Sequence, residues 1–350
     1  LVSLTSLTDA TPLFHIPRFI CVTMDDVSKS PIGRAVNENL QVLAKTLKGT
    51  SSVQIFSFAM YLLNERRNPL SPLQSFFTSL PPSFGVAHGA LYWGEEEMRC
   101  VDPLAQWEAE GMRLLISACH DTAHILCSLD EDLCGDGVSL DDMKWALTVY
   151  FQYNLQHQAI VPIVTFARYS GHTAGMKVTM NRQSGGLDVR VSGSISRGSP
   201  LTLFFPRGAS TLLTSRGEFD PDSLGVDTQL DISSAASSAT GRRVCTQKVH
   251  ELLFGTNGKP RESLVECLAW LLATKEDRVG FDGFRGNRRL MRLVYSEFQR
   301  TLTQSLTHVP LTCDSTHKDV FLNYTAFVRD VLLRNLAFVN QTLHSLPPLV

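Results

Sequence analysis

The sequence predicts an α+β fold in which short strands enclose a helical insertion and a helical unit closes the chain. Three observations carry this reading. Leu187, Val189 and Val191 alternate with Asp188, Arg190 and Ser192, the two-residue period of a half-buried strand. Well before them, Val53, Phe56, Ala59, Met60 and Leu63 recur at helical spacing. After the small polar run 233–241, the apolar residues return to helical spacing and keep it.

Each element follows from local chemistry. Residues 1–23 read as short strands, with Leu13-Phe14-His15-Ile16 stopping at Pro17 because proline cannot donate to a ladder. Ser30-Pro31-Ile32-Gly33 punctuates the chain, and Asn68-Pro69 ends the helix begun near Ser52. Trp107, Met112, Leu115, Ile116, Cys119 and Ala123 mark a second helix. Ser139, three residues ahead of Asp142, reads as an N-cap for the helix carrying Trp145, Ala146, Val149 and Tyr150. Ile160 to Phe166, Met176 to Met180, Leu187 to Val191 and Pro200 to Phe205 read as strands, with a turn at Gly185-Gly186. Helical periodicity covers Val249–Phe254, Glu262–Ala273, Asn287–Thr307 and Val320–Leu343. The expected division is therefore 1–232 with a helical insertion at about 27–158, a linker at 233–241, and an all-helical domain at 242–350.

The 350 residues are 43% hydrophobic and 19% charged, so the chain can build a core and is neither disordered nor fibrous. Lys+Arg is 32 against 34 Asp+Glu, which excludes nucleic-acid binding by a chain basic throughout. Arg outnumbers Lys 23 to 9, favouring planar bidentate donors at any local basic site. The 8 cysteines show no C-x-x-C pair or regular spacing, so no metal site and no disulfide framework is expected, and reduced, buried thiols in a reducing compartment are. Sequons at Asn323 and Asn340 fall in a helical stretch and read as accidental. Two uncharged stretches, Asn68 to Gly94 and Trp145 to Ala167, are broken by prolines and by amide side chains, so no membrane helix is expected. Residue 1 is Leu, and we expect the native N-terminus and any targeting peptide to lie upstream.

The order of elements and several local strings resemble the SET-domain methyltransferases of the Rubisco large-subunit methyltransferase type, including the actin-histidine methyltransferases. Leu1-Val2 through Leu13-Phe14-His15-Ile16-Pro17 lies on a family stretch of the form GLVATRDIKEGELLFEIP. Phe58 to Arg66 is similar to "LALFLLYER", Tyr92 to Met98 to "FWSEEEL", and Met143 to Leu147 to the start of "FLWALSIVRSR". The resemblance implies a SET-like β fold with a helical insertion, followed by an all-α C-terminal domain like the Rubisco methyltransferase substrate-binding domain. It implies S-adenosylmethionine as cofactor and a protein lysine or histidine as acceptor.

Position by position, the resemblance also implies lost chemistry. The family's cofactor-binding Arg falls on Tyr153, and its "D-M-x-N-H" on Thr165, Phe166, Ala167, Arg168 and Tyr169. A shifted register brings in His172, preceded by Gly171 rather than Asn. The two family tyrosines fall on Phe205, which lacks the hydroxyl, and Arg216, which carries a permanent charge. The family's G-x-G turn falls at or before residue 1. We therefore expect no catalytic residues, no confident cofactor site and no resident cofactor, with S-adenosylmethionine bound only if the enzyme is active after all.

Three further clusters stand out. His120 and His124 sit one helical turn apart, a metal-pair spacing without a clear third ligand, so a partly exposed helix face is expected rather than a metal site. Glu95-Glu96-Glu97 reads as solvated surface. Arg285, Arg288, Arg289 and Arg292 fall at spacings that share one helix face, which can grip phosphates or an acidic partner. The reading is a degenerate SET-fold scaffold or assembly factor binding a protein or ribonucleoprotein, including rRNA through the arginine face, with no membrane or metal partner. A ribosome or mitoribosome precursor is one such assembly, and the expected location is intracellular, with mitochondria compatible. The alternative is an active methyltransferase.

Overall fold

The structure, a computed structural model, describes residues 1–47, 50–130, 133–134, 137–155, 159–162, 164, 167–170, 175–181, 183–204, 208–219, 225–227, 235, 238–246, 252–273 and 287–346. Its contacts form two compact units, one of Leu1–Tyr92, Ala109–Phe204 and Thr214–Gly217, the other of Trp93–Glu108, Phe205–Leu213 and Glu218–Val350.

The first unit opens with β1 (Pro12–Ile16), which ends at Pro17, and β2 (Val22–Thr23). Thr23 caps α1 (Met24–Lys29) in a reciprocal box with Asp26, whose carboxylate accepts from the Thr23 N–H at 2.8 Å. Ser30 caps α2 (Pro31–Glu38), with Pro31 in the first turn where its missing N–H costs nothing. The Ser30–Gly33 punctuation is thus a helix start. Next come α3 (Leu40–Leu47), α4 (Thr50–Arg67), which stops ahead of Asn68-Pro69, and α5 (Gln74–Ser79). Beyond α6 (Glu95–Arg99) of the second unit lies the long α7 (Pro103–Leu129). Ser139 caps α8 (Leu140–Tyr153) through the predicted box with Asp142. Phe56, Phe58, Leu62, Leu126 and Met143 are fully buried in the core that α4, α7 and α8 build. Each such side chain contributes about 1.5–3 kcal/mol on leaving water.

The strands frame this helical core. β3 (Asn154–Leu155) and β4 (Ala159–Ile160) join β2 in the order β2-β4-β3. Among the described residues of the predicted 160–166 strand, Ile160 alone is in a ladder; residues 163, 165 and 166 lie outside the described residues. β5 (Arg168–Ser170) pairs in parallel with β8 (Thr202–Phe204), inside the predicted 200–205 run. β6 (Met176–Met180) and β7 (Leu187–Val191) occupy the predicted spans and form a sheet in the order β1-β7-β6, with His15 opposite Asp188. Gly185, at φ +68°, makes the turn between β6 and β7. α9 (Ala209–Arg216) follows.

In the second unit, β9 (Gly225–Asp227) pairs with β10 (Leu253–Gly255). Where a helix is expected over 249–254, Leu253 and Phe254 are strand instead, because Gly255 and the Asn257-Gly258 turn stop helical propagation and fold the chain back. The rest is helical: α10 (Ala239–Gly241), capped by Ser238 in the segment read as linker, α11 (Glu262–Leu272), α12 (Arg288–His308), capped by Asn287, and α13 (Lys318–Ser345). Residues 233, 234, 236 and 237 of the linker lie outside the described residues. Both sequons fall within α13, and the Asn340 amide oxygen accepts from Gln299 at 2.8 Å. Glu97 is not solvated as expected: it is 7% exposed and accepts a 2.7 Å hydrogen bond from Ser315.

The cysteines also depart from expectation. Cys100–Cys313, Cys127–Cys134 and Cys245–Cys267 are disulfides, with Cα separations of 4.9, 5.5 and 4.9 Å, while Cys21 and Cys119 are buried thiols. Tertiary folding brings these pairs within bridging distance, a proximity that sequence spacing does not encode. No described helix is long and apolar enough to cross a membrane.

Candidate functional site

The end of α8 and the end of α9 meet through Gln152 and Arg216. The Arg216 guanidinium donates to the Gln152 carbonyl, and the Gln152 amide donates to the His88 carbonyl at 2.8 Å. Backbones cross closely here. Gly217, at φ +68°, leaves no room for a Cβ, which would sit 2.1 Å from the Ala87 carbonyl oxygen. Gly89, at φ +112°, lies against the Thr214 carbonyl in the same way, with 2.7 Å to an added Cβ. Two glycines thus let the 85–92 and 214–217 segments touch.

This crossing sets Arg216 on the face of Tyr169, with the guanidinium carbon 3.8 Å from the ring centroid. Both residues are buried, at 7% and 8% exposure. A desolvated cation–π contact contributes about 2 kcal/mol or more, and the guanidinium stays charged at every accessible pH. Two of the substituted positions identified in sequence, Tyr169 and Arg216, therefore come together. Tyr153 goes elsewhere: its ring stands edge-on to Phe76 at 5.6 Å and belongs to the helical core. Arg168 is placed by its backbone in β5, opposite Thr202. Thr165, Phe205 and His172 lie outside the described residues. In the helical core, burial pushes the Tyr150 phenol up to about 12, so this hydroxyl stays protonated near neutral pH.

The arginine face divides. Arg288 and Arg289 are exposed at the start of α12, whereas Arg292 is half-buried and donates to the Leu346 carbonyl at 2.6 Å, at the C-terminal cap of α13. Arg285 lies outside the described residues. Opposite charge at a helix C-terminus is favourable by about 0.3–1 kcal/mol, so Arg292 has a structural task. His120 and His124 bring their Nε2 atoms to 3.2 Å on a partly exposed face of α7. Among the described residues no three His, Cys, Asp or Glu side chains gather to hold a metal ion.

No protein-family model matches the sequence, and no curated protein matches it. Solved structures do. The crystal structure of the SET domain of LSMT bound to lysine and AdoHcy superposes with a TM-score of 0.68 at 16% identity, covering 99% of this chain and 86% of that one. Rubisco LSMT bound to AdoMet gives 0.66 at 16% identity, covering 99% and 85%. The fold is that of the LSMT SET domain. Strands, helical insertion and C-terminal helices all lie within this SET-like fold, as the sequence resemblance implied. At this identity the likeness concerns the fold alone. The residues that sequence reasoning missed here are Gln152, His88 and Gly89, which tie Arg216 in place through backbone groups and so leave no side-chain signature.

Proposed function

We propose that the chain is a SET-fold protein that acts by binding a partner rather than by transferring a methyl group. The observation that carries this reading is the buried Arg216 guanidinium held against Tyr169 and the Gln152 carbonyl. At the aligned positions the family uses a tyrosine to shape a channel for a neutral amine and a histidine to help hold the cofactor. S-adenosylmethionine is a sulfonium cation, and a permanent like charge in a low-dielectric site disfavours it. The buried residues at these positions therefore do not fit that group. Exposed Arg288 and Arg289 offer bidentate donors for phosphate or carboxylate, which supports a ribonucleoprotein or acidic protein partner and a role in assembling such a particle, a ribosome precursor being one candidate.

The alternative is an active protein lysine or histidine methyltransferase, favoured by the match over 99% of the chain to structures holding AdoMet and lysine. Incubation with isotopically labelled S-adenosylmethionine and a broad set of protein substrates separates the two readings. The proposal expects no label above that of heat-denatured protein. Label that appears on lysine or histidine, and rises with protein concentration, overturns it.

A further inference from the structure

The β6–β7 turn brings a hydroxyl, an imidazole and a carboxylate into line. His15 Nδ1 lies 2.7 Å from Asp188 Oδ1, and Ser184 Oγ lies 3.4 Å from His15 Nε2. The arrangement is braced. Asn181 Nδ2 donates to the other Asp188 oxygen at 3.0 Å, while its Oδ1 accepts from the Ser184 N–H at 3.2 Å, so one side chain fixes both the carboxylate and the serine. The Gly186 N–H donates to Ser184 Oγ at 3.2 Å. A Cβ at Gly186 would stand 2.9 Å from His15 Cε1 and Nε2 and 2.4 Å from the Ile16 carbonyl, so only glycine lets the imidazole lie over the turn. The hydrogen bond to His15 holds the Asp188 carboxyl below its ordinary range, keeping it ionised.

We propose that Ser184, His15 and Asp188 form a nucleophilic triad that takes the acyl group from small carboxylic esters at the surface cleft they adjoin. A nucleophile within reach of a base that is itself oriented by a third group is the arrangement that activates a serine, and it recurs on unrelated folds. Asp188 accepts from His15 Nδ1–H, which leaves Nε2 as the acceptor for the serine proton. The cleft, of about 620 Å³, is lined by His15, Ser184, Pro17, Phe19, Arg18 and Lys29, together with Asp25 and Asp26. Phe19 is 74% exposed and offers an apolar wall for an alkyl group. Arg18 pairs with Asp26 at 2.8 Å and Lys29 with Asp25 at 2.6 Å, so the polar side of the cleft consists of two ion pairs.

The step balances without a co-reactant other than water. Ser184 Oγ bonds to the ester carbonyl carbon as its proton passes to His15 Nε2, and the carbonyl π pair moves to oxygen. Collapse breaks the bond to the alcohol oxygen, which takes the proton from His15 and leaves as alcohol. Water then attacks the acyl-serine by the same route, releasing the carboxylic acid and restoring the hydroxyl.

The test treats the full chain with a fluorophosphonate probe and, separately, with p-nitrophenyl acetate. The expected result is a covalent adduct that peptide mass spectrometry maps to Ser184. General-base catalysis contributes about 10²–10⁴-fold, so Ser184→Ala and His15→Ala should each lower kcat/KM for the ester at least about tenfold. Asp188→Asn should lower kcat while leaving the probe site unchanged. Absence of an adduct at Ser184 in the unmodified chain, which does not depend on how any variant folds, overturns the proposal. Equal esterase activity in Ser184→Ala overturns it as well.

Discussion

Tyr324→Phe isolates one buried hydrogen bond of the second unit. Tyr324 is fully buried, and its hydroxyl donates to Asp102 Oδ2, while Asp102 Oδ1 accepts from the Leu104 N–H at 3.0 Å and caps α7. Burial pushes the Asp102 carboxyl up, and the Tyr324 hydroxyl and the two backbone amides oppose that rise. Removing the hydroxyl leaves the ring in place and takes one hydrogen bond from a buried charge, a loss of about 1.5–3 kcal/mol. Each 1.4 kcal/mol is tenfold, so the folding constant should fall by about one to two orders of magnitude near neutral pH. The sign of the pH dependence follows from linkage. A carboxyl raised in the native state favours folding below its unfolded pKa, and this contribution is lost as pH rises through the native value. The variant raises the native value further, so its deficit should be widest near neutral pH and shrink on acidification toward that value. Urea unfolding followed by circular dichroism at neutral and mildly acidic pH measures both. A neutral-pH deficit below about 0.5 kcal/mol, or one that does not shrink in acid, would refute the reasoning.

Three further outcomes are expected. Gly217→Ala forces a Cβ at φ +68° to within 2.1 Å of the Ala87 carbonyl oxygen and should cost more than about 2 kcal/mol. Gly193→Ala, at φ +83° in open space, should cost only about 1–2 kcal/mol, and equal losses would mean the backbone crossing is unimportant. Thiol titration of the denatured, unreduced chain should find the 2 thiols of Cys21 and Cys119, rising to 8 after reduction, and 8 at the outset would contradict the three cross-links. Arg288→Glu with Arg289→Glu should weaken association with a structured RNA or acidic protein, most strongly at low salt, and unchanged binding would reduce this face to ordinary solvated surface.

What the sequence made legible was local. β7 matches its alternation residue for residue because side chains in a strand alternate by geometry, and α8 starts where Ser139 and Asp142 cap it because both partners lie within one turn. The end of α4 at Asn68-Pro69 follows the same logic. What escaped was long-range. Cys100 meets Cys313 across 213 residues, and His15 meets Asp188 and Ser184 across 173 and 169, distances over which composition and periodicity carry no pairing information. Arg216 and Tyr169 were each marked as departures from the family pattern, yet only the fold put one upon the other. The strand at Leu253–Gly255 shows a different failure, in which a short apolar run satisfied helical spacing until the following turn decided its pairing.

We propose that this SET fold keeps the architecture and has given up the cofactor chemistry. Calorimetric titration of S-adenosylmethionine into the full chain tests it most directly. The account predicts no saturable heat up to millimolar cofactor, because a buried guanidinium at Arg216 opposes the sulfonium. Saturable binding in the micromolar range would contradict it.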